Sequence, residues 1–169
     1  MSQASNKVKW CLNKAEKELK EKGFHRGLIK VEKDTRLAEK HISKAEHNLL
    51  AAVYFDKGGF SDWSASAFFY CIYHCFLAIL RKFGYESRNQ ECTIAVIEML
   101  KEKEEIDIED KFIDTLKIEK TEDPYESVIK IREDFQYGVE MDFKKKEEFN
   151  KLHEMCKEII SKTRGIIFH

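Results

Sequence analysis

The run FFYCIYHCFLAIL, residues 68–80, brings Cys71, His74 and Cys75 within about one helical turn, with Tyr70 and Tyr73 beside them. Thiols and imidazoles ligate zinc and form nucleophile–base pairs, so metal binding and covalent catalysis are the first chemistries to test. A structural zinc site needs about four ligands, commonly as two separated pairs. Cys71 and Cys75 would share one helix face, but no Cys-x2-Cys or His-x3-His supplies a second pair, and Cys11, Cys92 and Cys156 are single and scattered. No metal and no cofactor is expected. A reactive thiolate needs a partly exposed, electropositive setting. The neighbours here are Phe, Ile and Leu, so both cysteines are expected in the core. His74 keeps two readings. It is either a core histidine satisfied by Tyr70 one turn back or by a polar group on a neighbouring helix, or a functional one.

The elements that would hold these residues are helical. There is one Pro, there are seven Gly, and charged residues make up 36% of the chain, many of them the helix formers Lys and Glu. Residues 4–22 form an amphipathic pattern on Val8, Leu12, Ala15 and Leu19, closed by Gly23, and 24–33 read as extended or irregular. Asp34 is a good N-cap for a helix to about Lys57, with Leu37, His41, Ala45, Asn48 and Ala52 on one face and Gly58-Gly59 after it. Ser61 or Asp62 caps a third helix to about Phe83, apolar nearly all round and therefore central. Further helices are expected over 89–104, 108–117, 124–136 and 142–164; Asp123-Pro124 is a cap followed by Pro at the first helical position. No strand alternation or repeat is evident. The expectation is an all-α domain over 34–169, preceded by a basic helical extension over 1–33.

Length and charge narrow the functions. The 169 residues suffice for one domain with a real core. There is no uninterrupted apolar run of about 18 residues and no apolar leader at the N-terminus, so neither a membrane partner nor secretion is expected. Five cysteines at irregular spacing then suggest reduced thiols in a cytoplasm. The net charge of −1 and the lack of a helix-turn-helix pattern argue against sequence-specific DNA binding. The charge is uneven: residues 1–33 carry nine Lys/Arg against four Asp/Glu, and 101–126 carry five against eleven. Each segment is either a solvated helix face or a surface that steers a partner.

Residues 41–80 contain Lys44-Ala45, Asn48-Leu49, Gly58-Gly59, Trp63, Ser66, Phe69-Tyr70, Tyr73 and His74 in an order that resembles the first helical hairpin of the HEPN domain (higher eukaryotes and prokaryotes nucleotide-binding). The resemblance covers about forty residues well and the C-terminal half more loosely. It implies an up-and-down bundle of four to five helices with the 61–83 segment at its centre, here with an additional N-terminal helix. Members that cut RNA carry an Arg, four to six residues, then a His on a later helix. Such chemistry needs a cation for the phosphate and a proton acceptor near neutral pH, and no metal. The counterpart here is IREDFQYG, where Arg132 is followed after four residues by Tyr137. Tyrosine, with an ordinary pKa of about 10, is a poor acid–base at pH 7. Arg88-Asn89 is a second Arg candidate, again without a following His, and Ala67 stands where the family has Arg.

What the resemblance implies is a binding or interaction module rather than an enzyme. It would take a nucleotide or RNA through Arg132, Tyr137, His74, Tyr70 and Arg88, form a homodimer, and pair with a nucleotidyltransferase-type protein. Two alternatives stand beside it: a metal-independent endoribonuclease like the family's toxins, with His74 or Tyr137 moving protons, and a ligand-free helical dimerisation scaffold. The bland reading of Arg132 is a surface arginine in an i,i+4 network.

Overall fold

The computed structural model describes residues 1–117, 128–144 and 146–169. Seven helices and one two-stranded antiparallel sheet are described: α1 Gln3–Lys22, β1 Leu28–Lys30, α2 Thr35–Lys57, α3 Ser61–Phe83, β2 Tyr85–Ser87, α4 Gln90–Glu102, α5 Asp110–Asp114, α6 Val128–Tyr137 and α7 Lys146–Phe168. The chain is an all-α bundle with a small sheet at one end.

Helix α3 is the axle. Phe68, Ile72, Phe76, Ile79 and Leu80 are fully buried on it, each worth roughly 1.5–3 kcal/mol in apolar surface removed from water. By length and composition α3 would pass as a membrane span, but its most apolar stretch is 67% buried inside the protein. Helices α2, α7, α6 and α4 pack around it, and α1 lies on α4. On the α7 side, Phe68 meets Phe149 edge-on at 5.1 Å between ring centroids, and the Cys156 thiol reaches the Phe68 carbonyl at 3.8 Å.

The caps account for most boundaries. Asp34 Oδ1 accepts the Leu37 N–H at 2.9 Å, and Asn89 Oδ1 accepts the Cys92 N–H at 2.9 Å. The start of α3 differs from expectation. Phe60 occupies its N-cap without a side-chain bond. Ser61 instead donates to Asp56 Oδ1 at the end of α2, 2.8 Å away, and Asp62 sits in the first turn, where its charge suits the helix dipole. Helix α7 continues through Gly165 to Phe168 rather than stopping at Arg164. The Asp123-Pro124 start lies outside the described residues.

One expectation is refined and another is corrected. Residues 24–33, read as extended or irregular, include an extended segment in which Leu28, Ile29 and Lys30 pair with Ser87, Glu86 and Tyr85. Three residues are too few for alternation to show in sequence. The tie is tight at Gly84, whose φ of +82° and a Val31 carbonyl oxygen 2.9 Å from where a Cβ would stand both demand glycine. The cysteines are also not all thiols. Cys11 of α1 and Cys92 of α4 form a disulfide, with Cα atoms 6.0 Å apart and a sequence separation of 81. Spacing alone gives no hint of a pair that exists only because α1 docks on α4.

Candidate functional site

Cys71 and Cys75 are fully buried free thiols, as expected. A bond with Cys156 and burial raise the Cys71 thiol far above its ordinary range, and burial does the same for Cys75. Neither can be a thiolate at neutral pH. Among the described residues no group of three or more His, Cys, Asp or Glu is placed to hold a metal.

The other side of α3 carries the groups capable of recognition. Helix α6 crosses it so that the Arg132 guanidinium stands 4.1 Å above the Phe69 ring. Phe69 in turn stacks on Tyr73, at 5.7 Å and 14° between ring planes, and meets Tyr70 edge-on at 5.0 Å. Phe69 is buried, while Tyr70 is 47% exposed. Arg132 is half-buried, its Nε has no hydrogen-bond partner, and none of the described carboxylates pairs with it. The i,i+4 network of the bland reading is therefore not what holds Arg132; an aromatic face is.

Tyr73 is anchored inward. Its hydroxyl lies 3.3 Å from Thr93 Oγ1, and burial raises its pKa. The single Thr93 hydroxyl proton has Ser87 Oγ and the Asn89 carbonyl as acceptors, at 2.8 and 2.9 Å; committed to either, it leaves the Tyr73 hydroxyl as the donor to Thr93.

His74 does not use Tyr70. Its Nδ1 lies 3.0 Å from Nδ1 of His41 on α2, with ring centroids 5.3 Å apart. One ring must carry its proton on Nδ1 and the other must accept there. Burial, then the neighbouring His74, then Arg81 push His41 down to about 4. Burial and Lys44 lower His74 as well. Both rings are thus neutral at pH 7. Asn48, on the same helix, has a buried Nδ2 without a partner.

Arg132, Tyr70 and the aromatic pair Phe69–Tyr73 come together, and His74 follows one turn after Tyr70 on α3. Tyr137 and Arg88 do not join them. Five residues turn an α-helix by about 140° beyond a full revolution, and Tyr137 stands 80% exposed, away from Arg132. Arg88 sits past the far end of α3, its Nε 3.5 Å from Glu86. Glu86 also takes Arg81 at 2.6 Å and His25 at 3.4 Å. Burial pushes the Glu86 carboxyl up, but the bond from Arg81 and the charges of Arg81, Arg88 and His25 outweigh it and hold it low. That cluster ties β2 to the end of α3. Sequence reasoning missed His41 as the partner of His74 and Thr93 as the anchor of Tyr73. For His41 a signal existed, since it shares one face of α2 with Leu37, Ala45, Asn48 and Ala52, of which Ala45 and Ala52 are buried.

A family model for the HEPN domain matches residues 38–166. A comparison with curated proteins returns no match. Helix α1 and strand β1 lie outside the matched span, and α2 to α7 fall largely within it. With most of its length matched, and with the central-helix bundle in place, the chain belongs to the HEPN domain family.

Proposed function

We propose that this protein is a HEPN binding module that takes a phosphate-bearing ligand, a nucleotide or RNA, on the face shared by α3 and α6. The observation that carries the reading is Arg132: a guanidinium with an unpartnered Nε and no ion pair to a carboxylate among the described residues, held over Phe69 with the half-exposed Tyr70 beside it. A planar cation so placed can fork onto a phosphate, and an exposed tyrosine can stack on a base. Tyr137 and Arg88 play no part in this site. The module associates with a second copy or with a nucleotidyltransferase-type protein through apolar residues it leaves exposed near the α2–α3 turn, Tyr54, Phe60 and Trp63 among them.

One observation favours a second reading, a metal-independent ribonuclease. The His41–His74 pair is neutral at pH 7 and so is able to accept a proton. One experiment separates the two. Labelled mixed RNA is incubated in chelator with wild type, Arg132→Ala and His74→Ala, and both retardation and cleavage are scored. Retardation without cleavage that Arg132→Ala loses supports the binding module. Cleavage lost in both Arg132→Ala and His74→Ala establishes the nuclease. No retardation and no cleavage sinks both.

A further inference from the structure

Helix α1 carries a second recognition surface. Its inner face, Ala4, Val8, Cys11 and Ala15, is buried against α4 and β1 and fastened by the Cys11–Cys92 bond. Lys7, Trp10, Lys14 and Lys17 repeat at three- and four-residue spacing and therefore share the outer face. Trp10 is 52% exposed. The Lys7 and Lys14 ammonium groups stand 4.7 and 4.9 Å from its ring centroid. Lys7 also reaches Glu91 at 3.1 Å, and Lys17 lies 3.8 Å from Glu21. Lys14 makes no close ion pair among the described residues, and its charge acts on Glu18 one turn further along α1. Residues 1–15 hold three Lys and no Asp or Glu.

We propose that this face of α1 binds single-stranded nucleic acid, with a base stacked on Trp10 and the flanking phosphates held by Lys7 and Lys14. The two lysines are two turns apart, ~10.5 Å along the axis, so they bracket the indole along the path of a strand. An indole flanked by flexible ammonium groups is the arrangement that sequence-tolerant strand binding uses: the ring offers a stacking platform, and the cations follow the backbone. A base arriving on the ring displaces an ammonium group, which swings to the phosphate. Duplex could reach the lysines only through its phosphates, because its bases are already stacked and cannot use Trp10. A membrane is disfavoured because the continuous apolar face of α1, Ala4, Val8, Cys11 and Ala15, is committed to the protein, leaving only scattered apolar side chains such as Trp10 and Leu19 exposed. The surface lies outside the family-matched span and does not depend on the role given to Arg132.

Trp63→Phe leaves Trp10 as the sole tryptophan, since the chain has two. Its emission is titrated with short oligouridylate, with heparin, and with phosphatidylserine vesicles. Oligouridylate is expected to quench Trp10 and heparin to leave it nearly unchanged. Adding Lys14→Gln should weaken binding several-fold and reduce the log–log salt slope by about 0.7. Adding Arg132→Ala should leave the Trp10 signal intact, which separates this surface from the α3–α6 face. The proposal is overturned if oligouridylate fails to quench, if heparin quenches as strongly, if Lys14→Gln changes nothing, or if only vesicles alter the emission.

Discussion

Tyr70 and Cys71, and likewise His74 and Cys75, are chain neighbours on α3 with opposite fates. The two cysteines face α7, where the bond with Cys156 raises the Cys71 thiol and burial raises Cys75, so that both stay protonated. Tyr70 and His74 face the seam between α2 and α6, where cover is partial and polar partners are within reach. One apolar helix thus presents an inert side and a recognition side, about a quarter-turn apart. What differs is not the helix but what is laid against it. A helix apolar all round need not be chemically silent all round.

The comparison can be broken by substitution. Phe68→Ala on the inert side should cost about 3–5 kcal/mol, since it empties a fully buried site against Phe149. Denaturant unfolding measures this, and a loss below ~1 kcal/mol would mean that the α7 side is not the load-carrying packing surface. On the recognition side, acid should act where thiol chemistry does not. Both histidines titrate lower folded than unfolded, so the stability they permit is complete above the unfolded value of about 6.5. It is lost as pH falls from there towards about 4, the folded value of His41. The His41 shift corresponds to ~3 kcal/mol, and partial exposure reduces the expected loss to roughly half. His41→Gln should flatten the midpoint-against-pH curve over that window; an unchanged curve would show that the pair does not control it.

Smaller effects sharpen the contrast. Tyr73→Phe should cost about 1 kcal/mol by removing the donor to Thr93, and Thr93→Val in the same background should add less than it does alone. A fully additive pair of changes would deny the hydrogen bond. Tyr70→Ala should change stability by less than ~0.5–1 kcal/mol, as expected of a half-exposed residue. It should nonetheless weaken whatever binds beside Arg132 in the same retardation assay. If Tyr70→Ala unfolds the protein, the side called recognitional is structural instead.

The bundle was legible because its boundaries are local. Asp34 and Asn89 cap by reaching three residues forward, and Gly58-Gly59 ends α2 without reference to the rest of the chain. What escaped depends on partners distant in sequence. The β1–β2 pairing joins residues 28–30 to 85–87, and the His41–His74 contact spans 33 residues. For Arg132 the sequence offered a residue type but not its seat on Phe69. Tyr137 keeps the motif's spacing from Arg132, but the 3.6-residue period of α6 sets the two on different sides of the helix.

The Cys11–Cys92 bond makes the chain between those residues a closed ring, with α2 and α3 strung along it. While the ring is closed, α1 cannot diffuse from α4, and its effective concentration there stays high even when local packing opens. A dithiol reductant would turn the ring into a linear chain and leave α1 docked by side-chain packing and the β1–β2 pairing alone. The oxidised polypeptide, even fully denatured, remains a looped and more compact object, and should migrate faster than its reduced form on a denaturing gel.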